Sequence, residues 1–232
     1  MKISPNIVVI SPVMHSEPRF WKSVINMFAY SWHKGIKVQE IGITERTVVD
    51  WARNNLGRSA LEKNCEYTDG KYSHFLWLDS DHVFNPDLLE VLLSHDKDMV
   101  SALYFGRMEP YFPVVYVRDH NNHIDKYKHY PLTDVPNTLF ECDAVGFGAL
   151  LMRREVLECI PEPWFTVDYR AGEDIAFCVK VKEHDFKIYC DGRYKLGHIG
   201  STPIITEKTY VDYMAEHGQK YEDKIKVELN GR

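Results

Sequence analysis

FLWLDSDHVFNPDLLEVLL, residues 75–93, is the stretch on which the reading of the fold turns. Four apolar residues run straight into Asp79-Ser80-Asp81, and the chain then turns at Asn85-Pro86. A short continuous apolar run marks a strand buried on both faces, as in a parallel sheet. Asn85 as N-cap and Pro86 at the first helical position predict a helix carrying Leu89, Leu92 and Leu93. In an extended strand, residues i and i+2 share a face. Asp79 and Asp81 are therefore expected to converge where the strand ends, the place where a parallel sheet forms its ligand crevice. Two adjacent carboxylates repel each other and need a proton or a cation between them. Hard oxygen ligands at a water-accessible edge suit Mg2+ or Mn2+, with water and phosphate oxygens completing the shell. The plainer alternative is a turn in which either aspartate caps backbone groups.

Toward the N-terminus, NIVVISPV (6–13) reads as a buried strand and residues 18–33 as a helix opened by Pro18. IKVQEIGI (36–43) predicts a second strand. Thr44 then caps a helix over 45–62 whose apolar face is Val49, Ala52, Leu56 and Ala60. SHFLWLD (73–79) is the third strand and DMVSALYF (98–105) the fourth. This alternation predicts a mostly parallel sheet flanked by helices, an α/β fold. Beyond residue 105, YFPVVYVRD and HIDKYKHYP read as antiparallel strands around an Asn121-Asn122 turn. A Gly-rich strand VGFGALLMRR, a Pro/Trp loop at 160–166 and a helix from Gly172 to about Glu183 follow. The strand FKIYCD, the segment YKLGHIG and a charged helix over 205–227 complete the chain. No linker divides it, so residues 1–232 are expected to form one domain.

The chain has 232 residues, 44% of them hydrophobic, which suffices for one sizeable core. A net charge of −6 supplies no basic field for a polyanion, so no nucleic acid partner is expected. The five cysteines are scattered without a CxxC pair and read as reduced thiols in a cytoplasmic setting. No run approaches the ~18 apolar residues of a membrane span, so no transmembrane segment is expected. The apolar stretch after Met1 is too short for a signal peptide and reads as the first strand.

Three further groups carry chemistry. In YRAGEDIAFCVKV (169–181), Glu173 and Asp174 open a helix whose buried side is Ile175, Cys178 and Val179. The helix dipole alone explains acidic residues there, and it would lower their pKa values. His198 lies between glycines in LGHIG (196–200), either as a structural histidine or where backbone approaches a ligand closely. Arg53, in WARNNLGRSA, sits one step off the apolar face of its helix. It is either solvated or a fork that grips phosphate.

Taken in order, these features resemble the GT-A fold glycosyltransferases over roughly residues 6 to 200. VVISPVMHSEP, with Pro12, is similar to that family's first strand and nucleotide-binding loop, VVDWARNNL to its Arg-Asn helix, and FLWLDSDHVF to its metal motif. VGFGALLMRREVL, PWF and GEDIAFC resemble its acceptor-side elements. The first strand departs from the commonest Pro-x-x-Asn-Glu pattern, having Pro12-Val13-Met14-His15-Ser16-Glu17 instead.

The resemblance implies a nucleotide-binding half over 1–105, an acceptor-side half over 106–204 and a helical segment over 205–232. It implies that Asp81 ligates Mn2+ or Mg2+ directly, while Asp79 holds the ribose or reaches the metal through water. Ser80 belongs to the same donor motif, His198 would be a further metal ligand, and Pro12 and Arg53 would contact the nucleotide or sugar. Asp174 would deprotonate the acceptor hydroxyl, giving inversion, and Glu173 would orient hydroxyls. The implied partners are a UDP- or GDP-sugar donor and a glycan or other hydroxyl acceptor. Two rivals stand beside this reading. The hhhhDxDxV pattern also fits haloacid-dehalogenase-like phosphatases, although those place the strand near the N-terminus and follow it with a glycine-bearing flap. A non-catalytic nucleotide-sugar binder on the same fold is the other.

Overall fold

The apolar run at the N-terminus forms β1 (Asn6–Val13), and Pro18 opens α1 (Pro18–His33) as the sequence predicts. The computed structural model describes residues 5–15, 17–63, 70–118, 125–168, 170–200 and 204–230, with backbone only at 39–40 and 219–230. After α1 come β2 (Lys37–Glu45), α2 (Val49–Glu62), β3 (His74–Leu78), β4 (His82–Val83), α3 (Leu88–Ser94) and β5 (Met99–Leu103). The second half holds β6 (Val115–Arg118), β7 (His129–Pro131), β8 (Leu139–Cys142), β9 (Ala144–Val145), β10 (Ala149–Arg153) and α4 (Arg154–Cys159). Then follow α5 (Glu173–Glu183), β11 (Ile188–Lys195), β12 (Gly197–Ile199), β13 (Ile204–Ile205) and α6 (Glu207–Asn230).

A seven-stranded sheet runs in the order β2-β1-β3-β10-β5-β11-β8. β1 pairs in parallel with β2 and β3, and β5 with β11, while β10 and β8 run against their neighbours. Five of the seven strands therefore point the same way, as the alternating helices and strands predict. The insertion of β10 between β3 and β5 is not visible locally, because the pairing joins segments some seventy residues apart. What fits it there is its composition: Ala149, Leu150, Leu151 and Met152 are all buried, as a central strand requires.

Side-chain alternation divides the core into two layers. Val8, Ile10, Phe75, Trp77, Leu150 and Met152 face one side with Leu56, Leu157 and Phe177 of the helices. Ile7, Val9, Leu76, Leu78 and Leu151 face the other, under Phe20, Val24 and Met27 of α1 and Leu88, Leu89 and Leu92 of α3. Two small antiparallel sheets, β13-β12-β4 and β7-β6-β9, stand beside this core.

Several local expectations are corrected. Thr44 lies in β2 rather than capping α2; the helix begins at Val49 with Val48 at its N-cap and no side-chain cap. The strand simply continues, since Pro12 and Val13 of β1 still offer it a partner at Thr44 and Glu45. Asn85 does not cap α3 either. Its carbonyl accepts from the Leu88 N–H at 3.3 Å, so Asn85-Pro86 is a turn and the helix starts two residues later. In α5 the buried residues are Ala176, Phe177, Cys178, Val179 and Val181, with Ile175 only half-buried. Asn121-Asn122 and Cys65 lie outside the described residues; Cys142, Cys159, Cys178 and Cys190 are unpaired. Among the described residues no helix is long and apolar enough to cross a membrane.

One buried cation joins these layers at the edge remote from the cleft. Arg154 donates to the carbonyl of Leu61 at 2.7 Å and of Tyr72 at 3.4 Å, and pairs with Glu158 at 2.6 Å. It thus closes the C-terminal end of α2, where carbonyls lack helical partners. Arg154→Met is expected to lower stability by about 1.5–3 kcal/mol in urea titration, the usual worth of hydrogen bonds to a charged group. An unchanged midpoint would show that water serves those carbonyls equally well.

Candidate active site

β3 stops at Leu78, and this decides how the two aspartates are used. Asp79 has already left the strand, with its N–H on the Gly148 carbonyl at 3.2 Å, and Ser80-Asp81 form a turn before β4. The i, i+2 rule for extended strands therefore does not hold here, and the two carboxylates have separate partners. Asp79 accepts from Arg53 Nη2 at 2.9 and 3.2 Å. Arg53 Nη1 reaches Glu173 Oε1 at 2.5 Å. Arg53 is neither solvated nor a free phosphate fork: it is 3% exposed and its Nη groups bridge two carboxylates. The guanidinium lies 5.1 Å from the Phe147 ring centroid and 6.0 Å from that of Phe165. Burial opposes its charge, but Asp79 and Glu173 keep it firmly protonated.

Asp81 gathers the other charges. Its carboxylate lies 2.9 Å from Arg107 Nη1, 3.3 Å from His198 Nε2 and 3.2 Å from His82 Nδ1. Although burial works the other way, His198 and His82 hold its carboxyl well below the usual carboxylate range. His198 comes to this point because β12 pairs with β4, placing His198 directly opposite His82. The two rings stack at 4.3 Å, and His198 Nδ1 donates to the Phe105 carbonyl at 2.7 Å. With Nδ1 committed as donor to that carbonyl, Nε2 is the ring nitrogen that faces Asp81 and is the one a metal would take, the second-sphere arrangement typical of a metal-ligating histidine. Both ring nitrogens of His82 are buried without a hydrogen bond. Asp81, His82 and His198 thus offer ligand atoms within 4.8 Å of one another. One carboxylate oxygen and two imidazoles form a donor set that fits a first-row divalent cation such as Mn2+ better than Mg2+. Asp79, expected as a metal residue, stands outside this cluster because Arg53 holds it.

The glycines serve packing. A Cβ on Gly148 would lie 2.5 Å from His82 Cε1 and 2.7 Å from Tyr104 Cζ, so only glycine leaves room for the histidine. A Cβ on Gly197 would lie 2.6 Å from Val83 and Ile204, so this glycine lets three strands close up rather than admitting a ligand.

α5 begins at Gly172 and sends Glu173 and Asp174 into the same cleft. Asp174 Oδ1 accepts from the Ile175 N–H at 2.7 Å. Burial raises the pKa of both carboxyls, opposed by Arg53, so the downward shift expected from the helix dipole is overturned. The cleft holds about 600 Å³ at the carboxyl ends of β1 and β3. Pro12, Arg53, Asp79, Ser80, Asp81, Glu173 and Asp174 all line it, and His198 stands behind Asp81.

Two participants escape the sequence reading, and a third, Asn54, enters it only as the neighbour of Arg53 in the Arg-Asn helix. Arg107 has no motif around it. His82 follows the Asp-x-Asp pair directly, and its position there was the one available signal. Asn54 ties α2 to the Pro/Trp loop, accepting from the Trp164 and Phe165 N–H groups and donating to the Phe165 carbonyl.

A mostly parallel sheet with an acid-lined cleft at its carboxyl ends and a small antiparallel flank is the GT-A architecture of glycosyltransferases. The chain belongs to glycosyl transferase family 2, whose model matches residues 39–161, just over half its length. Among solved structures it is similar to A197 from STIV, at 21% identity over 84% of this chain and 85% of that one, with a TM-score of 0.55. It is also similar to GalNAc-T7, solved with UDP, GalNAc and Mn2+, at 14% identity and a TM-score of 0.51. That match covers 93% of this chain and 48% of the other, so the chain spans about half of GalNAc-T7. No curated protein sequence matches it.

Arg53→Met would leave Asp79 and Glu173 facing each other without a counter-ion. Breaking a buried ion pair from one side costs about 3–5 kcal/mol, and a loss in the upper part of that range is expected on chemical denaturation. Adding Glu173→Gln should recover part of it. A loss under about 1 kcal/mol would show that the bridge is dispensable to the fold.

Proposed function

We propose that the protein transfers a sugar from a nucleoside-diphosphate sugar to an acceptor hydroxyl, with inversion and with a divalent cation held by Asp81, His198 and His82. The observation that carries this reading is the Asp81–His82–His198 cluster, with His198 fixed by Phe105 and both His82 ring nitrogens buried without a hydrogen bond. The solved GalNAc-T7 complex, with UDP, GalNAc and Mn2+, supports the same pairing of nucleotide and metal. A bound cation supplies positive charge to the diphosphate as it departs. Arg107, 58% exposed at the cleft edge, can release Asp81 and add its guanidinium to the same phosphates. Pro12 and Ser80 line the donor side of the cleft, and Asp79, fixed by Arg53, takes the ribose hydroxyls. Asp174 accepts the acceptor's proton, and Glu173, anchored by Arg53, orients the hydroxyl. A UDP- or GDP-sugar donor, a glycan or other hydroxyl acceptor and a cytoplasmic setting complete the reading. The phosphatase alternative loses its footing, because its nucleophile would be Asp79, already paired with Arg53. A non-catalytic binder is told apart by turnover of a nucleotide sugar.

UDP or GDP affinity is expected to rise with Mn2+ in the native protein and to lose that dependence in Asp81→Asn. His82→Ala and His198→Ala should each raise the Mn2+ concentration needed for half-maximal binding by about 10- to 100-fold. Isothermal titration with and without EDTA reads both effects. Equal nucleotide affinity in EDTA and Mn2+ would sink the metal assignment.

Asp174→Asn should lose turnover by about 100- to 10,000-fold while keeping nucleotide affinity. The raised pKa gives a second readout. A carboxyl whose folded pKa exceeds its unfolded value of 3.8 stabilises the fold at low pH. That contribution fades as pH rises through the folded value, so the native protein should lose stability across this window and Asp174→Asn should lose less. Near-normal transfer by Asp174→Asn, or retained anomeric configuration in the product by NMR, would overturn the assignment.

A further inference from the structure

α1 carries two apolar faces; the core buries one and covers the other only in part, through Trp21 and Phe28. Phe20, Val24 and Met27 are buried under the sheet. Trp21, Ile25, Phe28 and Trp32 recur at i, i+4, i+7 and i+11, which is one continuous stripe on the adjoining side of the helix. Ile25 and Trp32 are each 65% exposed. The Trp32 indole N–H donates to the Val38 carbonyl at 3.0 Å, so the stripe lies over β2, the edge strand of the sheet. Ile41 and the 39% exposed Ile43 extend it along that strand. Isolated exposed apolar residues are ordinary, but Ile25, Trp32 and Ile43, joined by the half-buried Trp21 and Phe28, form a continuous stripe that marks an interaction surface.

Its charged border says what it meets. Lys22 and His33 flank the stripe on its solvent side, and Lys34 and Lys37 stand at its end. Among the described side chains, the carboxylates nearby are engaged or distant: Glu17 pairs with Arg19, Glu90 with Lys34, and Glu45 lies at the far end of β2. Among the described residues, Lys22, His33 and Lys37 have no acidic partner, in a chain of net charge −6. A second copy docked on this face would bring two such basic borders together. An anionic lipid surface instead complements them, with aromatic and aliphatic side chains entering the headgroup boundary.

We propose that α1 and the edge of β2 form a peripheral docking face for anionic membranes, with Trp32 and Ile25 as apolar anchors and Lys22 and Lys37 as electrostatic contacts. The face is separate from the cleft residues and does not depend on the catalytic reading. The test is co-sedimentation of the full chain with phosphatidylcholine vesicles, with and without phosphatidylglycerol, at low and high salt. Binding is expected with the anionic vesicles and weakens as salt rises. Ile25→Glu should reduce partition about tenfold or more, and Lys22→Glu and Lys37→Glu about fivefold each. Trp32→Glu should act like Ile25→Glu; should losing the Val38 hydrogen bond disturb its fold, Ile25→Glu, which has no such bond, carries the test with an unchanged melting temperature. Absence of binding to either vesicle, or undiminished binding by Ile25→Glu, would overturn the proposal. A concentration-dependent dimer that Ile25→Glu abolishes, without vesicle binding, would assign the face to a second copy instead.

Discussion

The Arg53 guanidinium, clamped between Asp79 and Glu173, is the contact on which the cleft depends. It joins α2, the end of β3 and the start of α5 at one buried point. Removing an arginine from water costs several kcal/mol, which only well-placed counter-charges offset. Two carboxylates and the aromatic floor of Phe147 and Phe165 provide them here. That floor is itself held in place: Phe165 stacks on Phe177 at 4.7 Å and meets Trp77 edge-on at 5.2 Å. Because Arg53 neutralises Asp79, the two aspartates of the Asp-x-Asp pair do not compete for one cation. Asp81 is left to a separate set of partners.

Those partners depend on strand pairing far from the motif in sequence. β12 runs beside β4, so His198 faces His82, and the Ile199 N–H donates to the Asp81 carbonyl at 2.7 Å. The backbone bond fixes the turn that carries Asp81, and the ring bond to Phe105 fixes the imidazole that faces it. Gly148, on the strand entry of β10, leaves the volume that His82 and Tyr104 fill. The Gly-rich stretch and the Gly-His stretch, separate in sequence, are thus one packing arrangement around one carboxylate.

Much of this was legible in the chain. Continuous apolar runs gave the strands of the first half, because burial on both faces leaves no alternation to misread. The resemblance of their order along the chain to the GT-A enzymes, rather than any one motif, grouped Pro12, Arg53, Asp79, Asp81, Glu173 and Asp174, and all six line the cleft. The failures have a shared cause. Thr44 and Asn85 have good capping chemistry, yet sheet pairing and a proline turn took precedence over it, as tertiary context overrides local propensity. The slot of β10, the His82–His198 stack and the Arg107–Asp81 pair all depend on long-range contacts that no local pattern encodes.

The same contest of local against tertiary terms decides the chemistry of Asp174. At the first turn of α5 the helix dipole favours its charged form by typically 0.3–1 kcal/mol. One pKa unit corresponds to about 1.4 kcal/mol, so the dipole can lower the value by less than one unit. Desolvation of the carboxyl is the larger effect, and it acts in the opposite direction. Arg53 limits the rise without cancelling it, since its two Nη groups bind Asp79 and Glu173 rather than Asp174. A carboxylate raised in this way is a stronger base than a solvated one. The buried arginine that holds the three elements together therefore also sets how basic the residue beside them becomes.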